Sequence, residues 1–173
     1  MRSIATVALL LLSSWASAGD FGPWTFGMSQ KEVLSHQNFG PYKTFSNGDL
    51  ETYNGTFAGE KRNFQFFFKD NSLWRIGIGT YEGNSIEDAT AAWLLTYSAL
   101  GDKFGAIETP DISGETPEQL SVFAKATVAS GKKAQMAPVH QPSDAFVFST
   151  FGSYAHEGQT YYTVTVNIDQ PRP

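Results

Sequence analysis

The chain has 173 residues, with 12 basic against 17 acidic side chains, a formal net charge of −5 and no cysteine. The missing thiols exclude disulfides, thiol catalysis and thiolate metal sites, and an acidic balance without clustered Lys or Arg argues against nucleic acid and anionic lipid as partners. Fourteen Phe, seven Tyr and four Trp supply the apolar material for one core of ordinary single-domain size.

The chain opens with the charged pair Met1-Arg2, an apolar run over residues 4–12 that contains Leu9-Leu10-Leu11-Leu12, and then Ala16-Ser17-Ala18. This order is that of a secretory signal peptide with an A-x-A cleavage site. The apolar run is about half the ~20 residues that a membrane span requires. Cleavage is expected after Ala18, making residues 1–18 the signal peptide and residues 19–173 a single α+β domain. No cysteine follows the run, so no lipid attachment is expected. Loss of Arg2 leaves 11 basic against 17 acidic residues, a net charge of −6. The expected location is the periplasm or the exterior, with no membrane insertion after cleavage.

Residues 19–25 form a lead-in that Phe21 and Trp24 can pin to the domain. Ser29 is a natural helix N-cap, and Glu32 three residues later completes a capping box. Val33, Leu34 and Phe39 form the expected buried side of this short helix. Gly40 is expected to take the left-handed conformation that stops it, and Pro41 cannot continue it. Strand character then runs over residues 50–81. Residues 50–57 form the first clear strand, and Ala58-Gly59-Glu60 turns the chain. Residues 63–69 place Phe64, Phe66 and Phe68 on one face, the alternation of a half-buried antiparallel strand. Asp70-Asn71 is a tight-turn pair. Residues 73–81 set Trp74, Ile76 and Ile78 against Arg75, Gly77 and Gly79. Two glycines on one strand face mark a bend or a close approach.

A second helix opens at Ser85, with Asp88 at its third position. Ile86, Ala89, Trp93, Tyr97, Leu100 and Phe104 form an amphipathic stripe along it, and Gly105 ends it. Residues 106–118 hold Pro110, Gly114 and Pro117 with four acids and no base, and read as a long exposed loop. Strands are expected at 120–129, 134–139, 145–151 and 160–169. The last sets Tyr162, Val164, Val166 and Ile168 on one face against Tyr161, Thr163, Thr165 and Asn167. Each half thus has a Ser-capped helix closing on Phe-Gly (Phe39-Gly40 and Phe104-Gly105), then antiparallel strands. The expected fold class is α+β: two helix-plus-antiparallel-meander units in tandem, residues 26–81 and 85–169, with the helices packed on one face of the sheet or sheets.

Chemistry is sparse. His36, His140 and His156 have no metal-ligand spacing, and Glu108, Asp111, Glu115 and Glu118 lack that of a calcium loop. No G-x-S-x-G or phosphate loop is present, and Ser149-Thr150 has no base nearby in sequence. No catalytic residue, metal or cofactor is therefore expected. Asn54-Gly55-Thr56 matches a glycosylation sequon, which carries little weight if the expected export is to a bacterial periplasm. What remains is surface. Helices on one side of an antiparallel sheet leave its other side free. The expected partner-binding residues on that side are Tyr53, Phe67, Arg75 and Tyr81, interleaved with Gly77 and Gly79, and Tyr161 from the other half. Aromatic residues and Arg are typical interface anchors.

The segment Phe26-Gly27-Met28-Ser29-Gln30-Lys31-Glu32-Val33, followed by Phe39-Gly40-Pro41, resembles the opening of the SmpA/BamE-like periplasmic modules. Phe68-Lys69-Asp70-Asn71-Ser72-Leu73 is similar to the end of their meander. The two-half layout also resembles the tandem helix-plus-sheet fold of beta-lactamase inhibitory protein. The family's lipidated cysteine and the inhibitor's disulfides have no counterpart in a chain without cysteine. The resemblance implies a fold and a periplasmic binding role, and names no target. The expected function is a non-enzymatic, secreted or periplasmic protein-binding module of inhibitor, immunity or envelope-assembly type. The alternatives are a small hydrolase with a spatially assembled site, and a small-ligand binder between the second helix and a sheet.

Overall fold

A computed structural model describes residues 21–171, so the expected signal peptide at 1–18 lies outside the described residues. Chain order is α1 (Gln30–Ser35), a 3-10 turn (Gln37–Phe39), β1 (Tyr42–Thr44), β2 (Leu50–Phe57), β3 (Glu60–Lys69), β4 (Ser72–Gly83), α2 (Ile86–Phe104), β5 (Ile107–Glu108), α3 (Pro117–Ala129), β6 (Ala134–Pro138), β7 (Phe146–His156) and β8 (Gln159–Asp169). This is a mixed α+β architecture. The strands form one eight-stranded sheet in the order β1-β2-β3-β4-β8-β7-β6-β5, with every neighbouring pair antiparallel. The two edge strands are the shortest, which limits the unpaired backbone they present.

α1 starts as its residues dictate. The Ser29 hydroxyl accepts from the Glu32 N–H, and the Glu32 carboxylate accepts from the Ser29 N–H at 2.7 Å. That backbone bond, helped by the Ser29 hydroxyl, holds the Glu32 carboxyl below the usual carboxylate range. Two details differ from expectation. Leu34 is exposed, because a six-residue helix buries only Val33. Gly40 is extended, at φ −71° and ψ 170°, because the 3-10 turn rather than a left-handed residue closes the helix.

The hairpin turns follow the sequence closely. Ala58 and Gly59, and Asp70 and Asn71, hold the positive φ values of two-residue turns. α2 is capped by Ser85, whose side chain accepts from the Asp88 N–H, and it ends at Gly105 with φ 83°. Its expected stripe faces inward. Ala89, Trp93 and Leu100 are fully buried, while Ile86, Tyr97 and Phe104 pack partly buried against the core.

Residues 120–129 are not a strand. They belong to α3, which the Thr116 hydroxyl caps by accepting from the Gln119 N–H, with Pro117 in the first turn. Leu120, Ala124 and Val128 repeat every fourth residue and are buried. The β-branched Val122, Thr127 and Val128 disguise that period, since they favour strands by propensity. Residues 106–118 are accordingly less of a loop than expected, because Ile107–Glu108 pairs with β6 and α3 begins at Pro117.

One continuous core lies between the helices and one face of the sheet. Leu50, Phe64, Phe66, Ile76, Ile78, Val147, Phe151, Val164, Val166 and Ile168 meet Val33, Trp93, Leu100, Leu120 and Val128 in it. Trp24 closes the core at the start of the chain. It is 1% exposed, and its ring lies 4.7 Å from Phe39, 5.5 Å from Phe64 and 4.8 Å from Phe66. Backbone bonds between Gly27 and Leu73, and between Leu73 and Met28, at 2.9 and 2.8 Å, fix the lead-in beside β4.

Two bulges in β4 decide which of its residues face the core. Phe67 pairs with Arg75 and Phe68 with Leu73, so Trp74 is an extra residue in β4. Gly79 pairs with Thr165 and Tyr81 with Val164, so Thr80 is another. Each insertion shifts the alternation by one residue. Leu73 therefore takes the core place expected of Trp74, which is only half-buried.

Trp24→Ala should destabilise the fold by about 3–5 kcal/mol, the usual cost of truncating a buried Trp, measured by urea denaturation. A loss below about 1 kcal/mol would show that the lead-in is not part of the core.

Candidate functional site

The face of the sheet opposite the helices is bare among the described residues. Its floor follows from strand alternation. β3 contributes Asn63, Gln65 and Phe67 between the buried Phe64 and Phe66. β4 contributes Gly77 and Gly79, and β8 contributes Thr163, Thr165 and Asn167 between buried valines and Ile168. β7 adds Phe148 and Thr150, paired with Asn167 and Thr165.

Two adjoining depressions are cut into this face and share Thr163, Thr165 and Asn167. The first, of about 670 Å³, lies over Gly77 and Gly79 between Tyr53, Phe67 and Glu82. The second, of about 410 Å³, lies between Arg75, Phe148, Lys133 and Tyr154. The two glycines do different jobs. A Cβ on Gly77 would come 3.2 Å from the Phe67 ring, so this position gives room for that ring to lie over the strand. A Cβ on Gly79 would make only ordinary contact, at 3.7 Å, with Asn63, so the floor there is open.

Arg75 is held from several sides on this face. Its Nε and one terminal nitrogen donate to the two carboxylate oxygens of Asp169 at 2.5 and 2.6 Å, a two-point bridge between β4 and β8. The guanidinium also sits 4.6 Å from the Trp74 ring centre and 5.7 Å from that of Phe148. The bulge that removes Trp74 from the core thus supplies one wall of this stack.

At the far margin, Tyr154 and Tyr161 stack at 5.6 Å on the β7–β8 hairpin, and the Tyr154 hydroxyl donates to the Glu82 carboxylate at 2.5 Å. That hydrogen bond, reinforced by the carboxylate charge, pushes the Tyr154 phenol above its usual range.

Of the five expected binding residues, Tyr53 and Phe67 flank the first depression, Arg75 anchors the second, and Tyr161 stacks at the margin. Tyr81 differs. The Thr80 bulge turns its side chain to the helix side, where its hydroxyl accepts from the Ser85 N–H at 3.2 Å, at the start of α2. Trp74, Phe148 and Tyr154 join the site from outside that expected set. Phe148 and Tyr154 were open to discovery by alternation with the buried Val147 and Phe151, whereas Trp74 was hidden by its bulge.

His36 caps α1 edge-on to Trp24, and His140 and His156 are exposed. Ser149 points into the core, fully buried, and its hydroxyl has no hydrogen-bond partner. Among the described residues no group of three or more His, Asp or Glu is placed to hold a metal ion, and no helix is long and apolar enough to cross a membrane.

Asp169→Ala should leave the half-buried guanidinium of Arg75 without its acceptors. We expect a loss of about 1.5–3 kcal/mol, the range for hydrogen bonds to charged groups, in chemical denaturation. Replacing both Arg75 and Asp169 by apolar residues should recover part of it, and a single-mutant loss near zero would show that the bridge is not formed.

Comparison of the chain with protein-family models, curated proteins and solved structures returned no match.

Proposed function

We propose that this is an exported, non-enzymatic module that binds another protein through the bare face of its sheet. The observation that carries the reading is the bare face itself, with its aromatic and Arg side chains held in place. A surface that must meet a partner gains from side chains that lose little freedom on binding. Phe67 over Gly77 and Arg75 between Trp74, Phe148 and Asp169 meet that condition. Trp, Tyr and Arg are the residue types that most often dominate binding energy at interfaces. The resemblance of residues 26–73 to the SmpA/BamE-like modules points toward the same class of function: inhibition, immunity or envelope assembly.

We also propose the tandem plan, with units 26–81 and 85–169 sharing one sheet. In its support, the strand order runs outward from the central β4–β8 pair as β4-β3-β2-β1 on one side and β8-β7-β6-β5 on the other. Export rests on the charged start, short apolar run and Ala16-Ser17-Ala18 site.

Two experiments test these readings. Immobilised protein should retain a saturable partner from an extract of the exported fraction, and Thr165→Arg, which places a long cation on the floor, should abolish the capture while Val122→Asp on α3 leaves it intact. Equal capture by both variants would remove the face from consideration. Mass spectrometry of the exported protein should find a chain starting at Gly19, and an intact Met1 terminus outside the cytoplasm would contradict cleavage after Ala18.

A further inference from the structure

A third depression, of about 760 Å³, lies at the β5–β6 end of the same face. Phe146 and Phe148 of β7, with ring centres 5.5 Å apart, and Pro110 and Pro142 form its apolar walls. Gln135 and Ala137 of β6 line it because they alternate with the buried Ala134 and Met136. Glu108 pairs with Ala137 across β5 and β6, so it falls on the same face. This depression shares Arg75, Gln135 and Phe148 with the second one, and the two form a single groove along β6 and β7.

The charged side chains that line the groove are Arg75, Asp169, Lys133 and Glu108. Arg75 and Asp169 neutralise each other through their two-point bridge. The side chains of Lys133 and Glu108 have no hydrogen-bond or ion-pair partner among the described residues. Lys133 lies just before β6, with its stem over Gly152 at one end of the groove. Glu108 stands at the other end, beside Ala137. The four positions from Lys133 to Ala137 put the opposite charges ~13 Å apart, at ~3.3 Å per extended residue. A partner that covers the groove takes water from both groups, and offsets that cost only by bringing an acid to Lys133 and a base to Glu108. The span also selects the shape of what lies there. Extended residues four apart point the same way and cover the same ~13 Å. A helix would need about nine residues at 1.5 Å each, and residues nine apart point to opposite sides of it.

We infer that the partner presents an extended segment with an acidic and a basic side chain four positions apart, the acid on Lys133 and the base on Glu108, and an apolar side chain midway between them against Phe148. This rests on the protein-binding reading of the face. It adds the chemistry of what is bound along β6 and β7: two ion pairs of opposite sense around one apolar contact.

The test selects a random linear peptide library, displayed on phage, on the purified protein. Enriched peptides are then carried to Glu108→Lys and Lys133→Glu, both at exposed positions, with thermal unfolding checked against the wild type. The expected result is enrichment of peptides with an acid and a base four positions apart around an apolar residue. Synthetic copies should lose at least about tenfold in affinity on each variant. Exchanging the peptide's base for Asp should restore binding to Glu108→Lys, and exchanging its acid for Lys should restore binding to Lys133→Glu, which a general loss of structure would not allow. On the wild type, Kd should rise by more than about threefold between roughly 0.05 and 0.5 M salt, because screening weakens charge pairs. Peptides that are lost on Thr165→Arg but bind both charge variants like the wild type would overturn the inference and leave the face as the binding surface. Peptides that bind all three variants like the wild type would remove the face as well. No enrichment would overturn the inference, and so would peptides bound by a chain ending at Pro171 but not by the full chain, since its own tail would then hold Glu108.

Discussion

The antiparallel pairing of β4 with β8 is the constraint on which the rest of the structure depends. It joins residues 75–83 to residues 162–169 and makes one sheet of strands from both halves of the chain. One end of the seam is clamped on the bare face by the two-point bridge from Arg75 to Asp169. Further along, on the core face, the Thr80 hydroxyl donates to the Val164 carbonyl at 3.1 Å and accepts from the Thr96 hydroxyl of α2 at 3.1 Å. A single bulged threonine therefore ties both seam strands to the longest helix. Without the seam, neither depression has its floor, since each takes residues from β8 and from strands on the β4 side.

The division between core and bare face is set by parity, and parity is set by bulges. Where the alternation is unbroken, as over Phe64 to Phe67, Phe and polar residues fall where a period of two puts them. At Trp74 and Thr80 one extra residue reverses the order. Trp74 leaves the core and becomes a wall for Arg75. Tyr81 packs against the core and becomes a hydrogen-bond acceptor at the start of α2. One bulge thus adds an aromatic to the candidate surface, and the other ties an aromatic at its edge to the helix.

This explains how much of the molecule was legible in the sequence. Caps and turns are local chemistry, so Ser29 with Glu32, Ser85, Gly105 and Asp70-Asn71 were all readable. So was the alternation that puts Phe67 and the glycines opposite the core. The bulge at Thr80 depends on the register against β8, near the far end of the sequence, and the one at Trp74 on the register against Phe67 and Phe68 across the hairpin, neither of which a strand's own alternation shows. The helical nature of residues 117–129 was legible from Thr116, Pro117 and the spacing of Leu120, Ala124 and Val128. Its β-branched residues outweighed that signal. The Arg75–Asp169 bridge spans 94 positions and could not be read without the fold.

The central claim is that the bare face, and not the helical side, meets the partner. Hydroxyl-radical footprinting of the free protein and of its complex with a captured partner tests this most directly. The account predicts that labelling falls on Tyr53, Phe67, Trp74, Phe148 and Tyr154 in the complex, while Leu95, Val122 and Phe123, exposed on α2 and α3, stay labelled as before. Protection of Leu95, Val122 and Phe123 with unchanged labelling of the sheet aromatics would contradict it.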